Sequence, residues 1–536
     1  MKKKRCQIID IIFMLALAVS IIVFIVIPFF NILKLGFYQE GRWNPSYIAE
    51  LLFRKRRLLI NSLRLGALTT ALTLFIGICS ALYLYLASER MQRLFFLILG
   101  ITMISPPFVT ALSYIFLFGR RGWISYRLLG LSIQPYGMWG IVFMQALSDF
   151  SLCSLLLYGS LRSIPRYMTD SAKSLGANTD HLILDILLPN MLPGIKAAAI
   201  LTFLRSISDF GTPAIIGGNY EVLALESYFA VIAEGNLPKA AAMNILLLLP
   251  AVLVFFIYQK SLKNVSASTH GLSVSESRIE RRGALYFLLS AVAVFFLLWI
   301  TLQYLSLFLS AFTKMKKGSP VWSLEHLVES RRYIGSAVFR SIGYSLIAAF
   351  AGSLIGLLLG YYIQIGKSGF ARFLDAATTL PYIIPGTFFG LAYLISFNRE
   401  PLMLTGTAAI VIINVLFKQL PFSTKMGNAA METLNQDVLA AVRDLGGGRL
   451  SELKDAVFPL SRQALALSFV NAFTSTMTTV GSIIFLVYPG QKVLTLVMFD
   501  VIQSGKYSIG SVLALLIIII CVSVNGIYLA LNKSLA

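Results

Sequence analysis

The sequence predicts an all-α polytopic membrane protein: about twelve transmembrane helices arranged as two parallel six-helix repeats. Three observations predict it. Of the 536 residues, 57% are hydrophobic and only 13% are charged, against about 25% charged in soluble domains. Apolar runs of the roughly 20 residues needed to cross a bilayer recur along the whole chain. One polar loop also occurs twice, at residues 170–189 and 440–459. Its copies share Leu175/Leu445, Gly176/Gly446, Asp185/Asp455 and Pro189/Pro459 at an offset of 270 residues, about half the chain. A repeat on that scale marks a duplicated unit joined head to tail.

The elements follow in order. Lys2-Lys3-Lys4-Arg5 precedes an apolar run of more than 20 residues, longer than the h-region of a signal peptide. It is expected to be an uncleaved first span with a cytoplasmic N-terminus. Windows of spanning length lie near 8–35, 60–87, 94–118, 137–160, 194–217 and 240–259. In the second half they lie near 284–311, 338–364, 372–397, 405–428, 463–487 and 509–531. The Ser-rich polar stretch 261–283 between them cannot bury a core and reads as a cytoplasmic linker. The expected domains are therefore a first repeat over 1–260 and a second over 284–536. Six spans return the chain to its starting side, so the repeats share one orientation about a pseudo-twofold along the membrane normal. Asn61-Ser62-Leu63 is echoed by Arg340-Ser341-Ile342 and Gly77 by Gly356, at an offset of 279 residues. The two offsets differ because the second half has a shorter loop between its third and fourth spans.

Composition also excludes functions. The net charge of +21 follows from Lys and Arg gathered in membrane-flanking loops, and no basic–aromatic module points to nucleic acid. Four scattered cysteines and three histidines show no zinc, redox or disulfide spacing. No metal site or cofactor is expected. Charge alone leaves the orientation open: the N-terminal tetrad and the linker favour an inside N-terminus, and Arg54-Lys55-Arg56-Arg57 opposes it. That run either attracts an acidic partner outside the membrane or snorkels beside headgroups.

The repeated loop carries the function. Ala172 and Leu175 are expected on one short helical face, ended by Gly176 as an αL cap. Thr179 is the expected N-cap of a second helix over 181–188, which Pro189 ends. In the second copy Gly446-Gly447-Gly448 makes the turn and Ser451 caps. Ala441, Leu445, Gly446, Asp455 and Pro459 are the counterparts. A connector that merely punctuates would not need the same Gly-to-Pro spacing twice, so the loops read as paired docking sites for a partner.

These residues resemble the E-A-A-x-x-x-G-x(9)-I-x-L-P loop of permease subunits in binding-protein-dependent ABC importers. The first copy matches at Ala172, Gly176, Ile186, Leu188 and Pro189. The second keeps Ala441, Gly446 and Pro459 but has Val442, Ala456 and Phe458 at other motif positions. The resemblance implies that loops around 166–193 and 437–463 are coupling helices seated on two cytoplasmic ABC ATPase subunits. It implies an extracytoplasmic substrate-binding protein, a bacterial inner-membrane location with both termini cytoplasmic, and no catalysis by this chain.

Candidate pathway residues lie in the spans. Arg205 and Asp209 are four apart, so they can pair on one helical face, either lining the pathway or only fixing helix packing. Their counterparts are Ser475 and Thr479. Asp149 and Lys418 occupy nearly symmetric places and either meet across the axis or face water separately; intramembrane charges often mark a pathway. Two motifs are decoys. Gly360-Tyr-Tyr-Ile-Gln-Ile-Gly366-Lys367-Ser368 has one residue too many for a phosphate loop. Asp209-Phe210-Gly211 stands without the rest of a kinase signature. The string Asp209-Phe-Gly-Thr-Pro-x-x-x-Gly217-Gly218 is similar to that of ferric-iron-type permeases. The expected function is thus a fused two-repeat importer permease for ferric iron. Thiamine, polyamine, aminoethylphosphonate or an oxyanion are alternative cargoes, and an ion-driven secondary transporter is the alternative class.

Overall fold

A computed structural model describes residues 2–39, 42–131, 134–263, 283–316, 319–366 and 369–534. Most of the expected linker, 264–282, lies outside the described residues, as do Lys367 and Ser368. The first repeat contains α1 (Ile12–Phe37), α2 (Arg56–Leu86), α3 (Glu89–Ile104), α4 (Phe108–Phe118), α5 (Met138–Arg162), α6 (Leu192–Ser208) and α7 (Leu237–Lys263). The second contains α8 (Ala284–Phe312), α9 (Ala337–Gly366), α10 (Gly369–Ile383), α11 (Gly386–Ser396), α12 (Ala408–Thr433), α13 (Arg462–Thr478) and α14 (Tyr507–Ser534).

Among the described residues seven helices are long and apolar enough to cross a membrane, or up to ten if each sharply bent pair is one span. The two remaining expected windows hold α12 and α13. Polar Asn414, Lys418 and Lys425 make α12 less apolar, and α13 is only 17 residues long.

The third window of each repeat, expected as one span, is two helices. Ser105-Pro106-Pro107 separates α3 from α4, and the chain turns by 104°. Ile384-Pro385 separates α10 from α11, with a turn of 112°. Proline removes an N–H donor and excludes helical geometry from the residue before it, so both breaks follow from local sequence. The fifth windows are also shorter than expected: α6 ends at Ser208 and α13 at Thr478. Further along each repeat comes a short apolar helix, Leu223–Ile232 or Leu494–Gln503. The repeated serines explain how these are held. Ser62 Oγ accepts the Leu223 N–H at 2.9 Å, and Ser341 Oγ accepts the Leu494 N–H at 2.7 Å.

Each repeat is built on a tight helix pair. A side chain added at Gly356 of α9 would lie 2.5 Å from the Ser423 backbone of α12, and one at Gly360 would lie 2.4 Å from Gly427. In the first repeat Gly77 of α2 meets the Cys153 side chain of α5. Small residues bring membrane helices close enough for dense van der Waals packing, the main attraction available in lipid.

The repeats do not pack as separate bodies. Helix α1 lies against α10 and α11 of the other repeat. There Tyr393 donates to the Phe24 carbonyl at 2.7 Å, and Asn31 Nδ2 donates to Ser396 Oγ at 3.0 Å. Helix α8 crosses the other way: Ser113 donates to the Gln303 carbonyl at 2.9 Å, and Phe118 stacks on Trp299. Phe24 and Gln303 are equivalent at the 279-residue offset. One connected apolar core therefore runs through both repeats.

Candidate functional site

Both loops are built by the same capping chemistry. Helix Arg166–Ser174 ends at Leu175, after which Gly176 adopts φ +84°. The Gly176 N–H bonds to the Lys173 carbonyl at 2.9 Å and the Ala177 N–H to the Ala172 carbonyl at 3.0 Å. The second copy repeats this, with Gly446 at φ +82° and bonds from Gly446 to Arg443 and from Gly447 to Val442, each 2.9 Å. This is the Schellman pattern, which needs a left-handed residue just past the helix. Leu175 and Leu445, one residue earlier, are 88% and 90% exposed. Nothing lies within 4 Å of a side chain added at either glycine. Each loop thus presents a bare leucine–glycine knob.

Four local expectations are corrected. Ala172 is buried while Leu175 is exposed, so they do not share a face. Asn178, not Thr179, caps the second helix by accepting the His181 N–H at 2.9 Å. Ser451 does not cap; Gly448 holds the N-cap position without a side-chain bond. Pro189 and Pro459 do not end their helices but sit in the first turn of the next segment. A proline withdraws the bond to the carbonyl four residues earlier, which belongs to Asp185 and Asp455. The helix widens there into a π-turn, at Leu182–Leu187 and Glu452–Val457. Both aspartate side chains are exposed, and Asp185 Oδ2 lies 3.1 Å from His181 Nδ1.

The loops are anchored differently. Leu182 is buried in the first. At the equivalent position of the second, Glu452 is 1% exposed and accepts from three atoms of two partners. Arg443 Nε lies 2.5 Å from Oε1, and Arg443 Nη2 and the Tyr361 hydroxyl lie 3.3 and 2.7 Å from Oε2. Burial works against the Glu452 carboxylate, but the bonds from Arg443 and Tyr361 win and hold its pKa below the ordinary glutamate value.

Within the spans the charged pairs differ from those expected. Arg205 does not pair with Asp209; its Nε lies 3.2 Å from Asp149 Oδ1, with Arg205 half-exposed and Asp149 buried. Asp209 instead terminates α6. Its Oδ1 accepts the N–H groups of Gly211 and Thr212 at 2.9 and 3.2 Å, and its Oδ2 accepts from Gln145 Nε2 at 3.0 Å. Gln145 Oε1 accepts in turn from Thr69 at 3.1 Å and Ser206 at 2.6 Å. This Gln145 hub was not among the sequence candidates, although a glutamine inside an apolar window is itself a signal. Asp149 and Lys418 do not meet. Lys418 Nζ donates to the carbonyls of Pro381 and Ile384, at 2.6 and 2.5 Å, where α10 ends before Pro385. In the second repeat Ser475 is partly exposed, and Thr479 ends α13 with its hydroxyl 3.4 Å from Ser482.

Comparison with known proteins agrees with this architecture. The family described as "Binding-protein-dependent transport system inner membrane component" matches twice, over residues 73–265 and 336–536. The chain is 26% identical over 532 residues to the ferric transport system permease protein FbpB of Actinobacillus pleuropneumoniae, covering 95% of this chain and 76% of that protein. It is 27% identical over 501 residues to the putative ferric transport system permease protein FbpB 1 of Haemophilus influenzae, covering 90% and 78%. The spermidine/putrescine transport system permease protein PotC of Escherichia coli K12 matches at 27% over 238 residues, 44% of this chain and 85% of PotC. The double match spans most of the polypeptide, and the chain belongs to the family of binding-protein-dependent transport system inner membrane components.

Proposed function

We propose that this permease subunit imports ferric iron handed over by an extracytoplasmic binding protein. In this reading the Leu175–Gly176 and Leu445–Gly446 knobs seat in two cytoplasmic ATPase subunits, and both termini lie in the cytoplasm. The subunit performs no hydrolysis itself; like its relatives it is a transport component. The observation that carries the cargo assignment is similarity along almost the whole chain, through both repeats, to two ferric transport permeases. The observation that supports the docking assignment is the pair of bare knobs on identical Schellman turns. Asp149, Arg205, Asp209 and Lys418, with Ser475 and Thr479, are assigned to the walls and hinges of the pathway.

A polyamine reading is favoured by one observation, the match of PotC to a half-length stretch. The two readings separate by uptake of radiolabelled ferric iron or spermidine into cells that depend on this chain for growth. Loss of iron accumulation alone on deletion supports the ferric reading, and loss of spermidine accumulation alone replaces it. An ion-driven mechanism would call for acidic residues at matched depth, and Thr479 stands where the first repeat has Asp209. Uptake that survives depletion of the ATPase subunits would restore that alternative.

A further inference from the structure

The two loops look alike from outside but are fastened by different chemistry underneath. Glu452 joins three elements of the second repeat. Arg443, in the last turn of helix Gln436–Asp444, reaches it from the knob side. The residue itself begins the π-turn that leads to α13, and Tyr361 reaches it from α9. Both Glu452 and Tyr361 are buried. In the first repeat, Leu182 stands at the position of Glu452, and Leu82 stands at that of Tyr361; both leucines are buried. Two positions therefore change together between the repeats, from a pair of leucines to a carboxylate and its phenol donor. A buried carboxylate is costly unless charge-paired and hydrogen-bonded, and here both conditions are met.

The tie also lands at a particular place. Tyr361 adjoins Gly360, where an added side chain would lie 2.4 Å from the Gly427 backbone of α12. Further along α12, Lys418 holds the carbonyls at the α10 bend. A contiguous chain of contacts thus runs from the second knob to the broken helix of the pathway.

We propose that Glu452 is a positioning residue that fastens the second coupling helix to α9, so that force received at Leu445–Gly446 enters α9 through the Glu452–Tyr361 bond. In the first repeat buried leucines, Leu182 and Leu82, occupy the two positions of this bond. The inference rests on the docking reading of the knobs.

The test uses the full chain, with Cys6, Cys79, Cys153 and Cys521 replaced, assembled with its ATPase subunits in nanodiscs. A spin label is placed at Leu445→Cys or, as an internal control, at Leu175→Cys. In Glu452→Gln the label at 445 becomes mobile in the chain alone, while the label at 175 does not change. In the assembled transporter, ATPase stimulation by the binding protein falls about 5- to 10-fold, the range of a typical coupling energy. The triple change Arg443→Leu, Glu452→Leu, Tyr361→Leu replaces the polar tie with apolar residues, with leucine at 452 and 361 as at Leu182 and Leu82 of the first repeat, and restores order at 445. An unchanged label at 445 overturns the proposal, and so does equal loosening at 175, which would mean general destabilisation. Loosening confined to 445 with full stimulation overturns the force path through the tie, whereas failure of the docking reading shows separately as full stimulation in Gly176→Trp and Gly446→Trp.

Discussion

Arg205 and Asp149 form an ion pair, Nε to Oδ1 at 3.2 Å, in which the arginine is half-exposed and the carboxylate is buried. That asymmetry decides which partner is costlier to remove. Loss of the guanidinium strands a buried charge, whereas loss of the carboxylate leaves a cation that can still reach water. We expect Arg205→Met to destabilise the folded permease by about 2–4 kcal/mol, within or just below the range for broken buried pairs. Asp149→Asn should cost clearly less, and the double change Arg205→Met, Asp149→Leu should recover most of the loss. Thermal melting of the purified variants in detergent checks this; equal melting temperatures for the two single variants would contradict it.

Lys418 donates to the Pro381 carbonyl, whose helical partner would have been the N–H that Pro385 lacks, and to the Ile384 carbonyl at the helix break. Lys418→Met removes both bonds at once, and an unsatisfied buried carbonyl costs about 1–3 kcal/mol. The expected result is a lowered melting temperature together with loss of uptake. Lys418→Arg should retain part of both, because a guanidinium still donates.

The crossing of α9 and α12 is tighter than that of α2 and α5. An added methyl at Gly356 meets Ser423 backbone, whereas at Gly77 it first meets the Cys153 sulfur, which can rotate away. Gly356→Ala should therefore destabilise by about 1–3 kcal/mol, as overpacking does, and Gly77→Ala by less. Fluorescence-detected gel filtration after graded heating ranks the two.

The knob glycines hold left-handed backbone with open space around them. A non-glycine residue there costs about 1–2 kcal/mol, too little to unfold the chain, while a bulky side chain would block a partner's cleft. Gly176→Trp and Gly446→Trp should leave expression and melting nearly intact and abolish binding-protein-stimulated ATP hydrolysis. Full stimulation in both variants would refute the docking assignment.

The Glu452 tie should respond to acid in a defined direction. Its carboxylate is held below the ordinary glutamate value in the fold, so its contribution is present above the unfolded pKa and is lost as pH falls through the folded one. Arg443, whose pKa the bond to Glu452 raises further, stays cationic across that range. A spin label at 445 should remain ordered at neutral pH and loosen only in acid below the ordinary glutamate value of about 4.3. In Glu452→Gln it should be loose at both.

The loops were legible in the sequence because their chemistry is local. A Schellman turn demands glycine at one position, and a proline widens the helix around the carbonyl four residues before it, so both leave a fixed spacing. The caps were misread by one to three residues, since Asn, Thr, Ser and Gly all suit an N-cap and only the backbone decides among them. The partners of Arg205, Asp149 and Lys418 were not legible. Spacing of four suggested Arg205–Asp209, but the helix ends at Asp209 and turns its carboxylate back onto Gly211 and Thr212.

By itself the sequence determined that this is a duplicated, all-helical membrane protein with two turn-and-knob loops, because hydrophobic length, glycine turns and proline breaks act within a few residues. Only the tertiary structure decided that α1 and α8 cross into the opposite repeat, that the third spans bend through more than 100°, and that Glu452 is bound by Arg443 and Tyr361. Those outcomes depend on which distant backbone carbonyls, carboxylates and small residues come within bonding distance. In lipid, where apolar surfaces gain little from one another, it is such close polar and van der Waals contacts that select the arrangement.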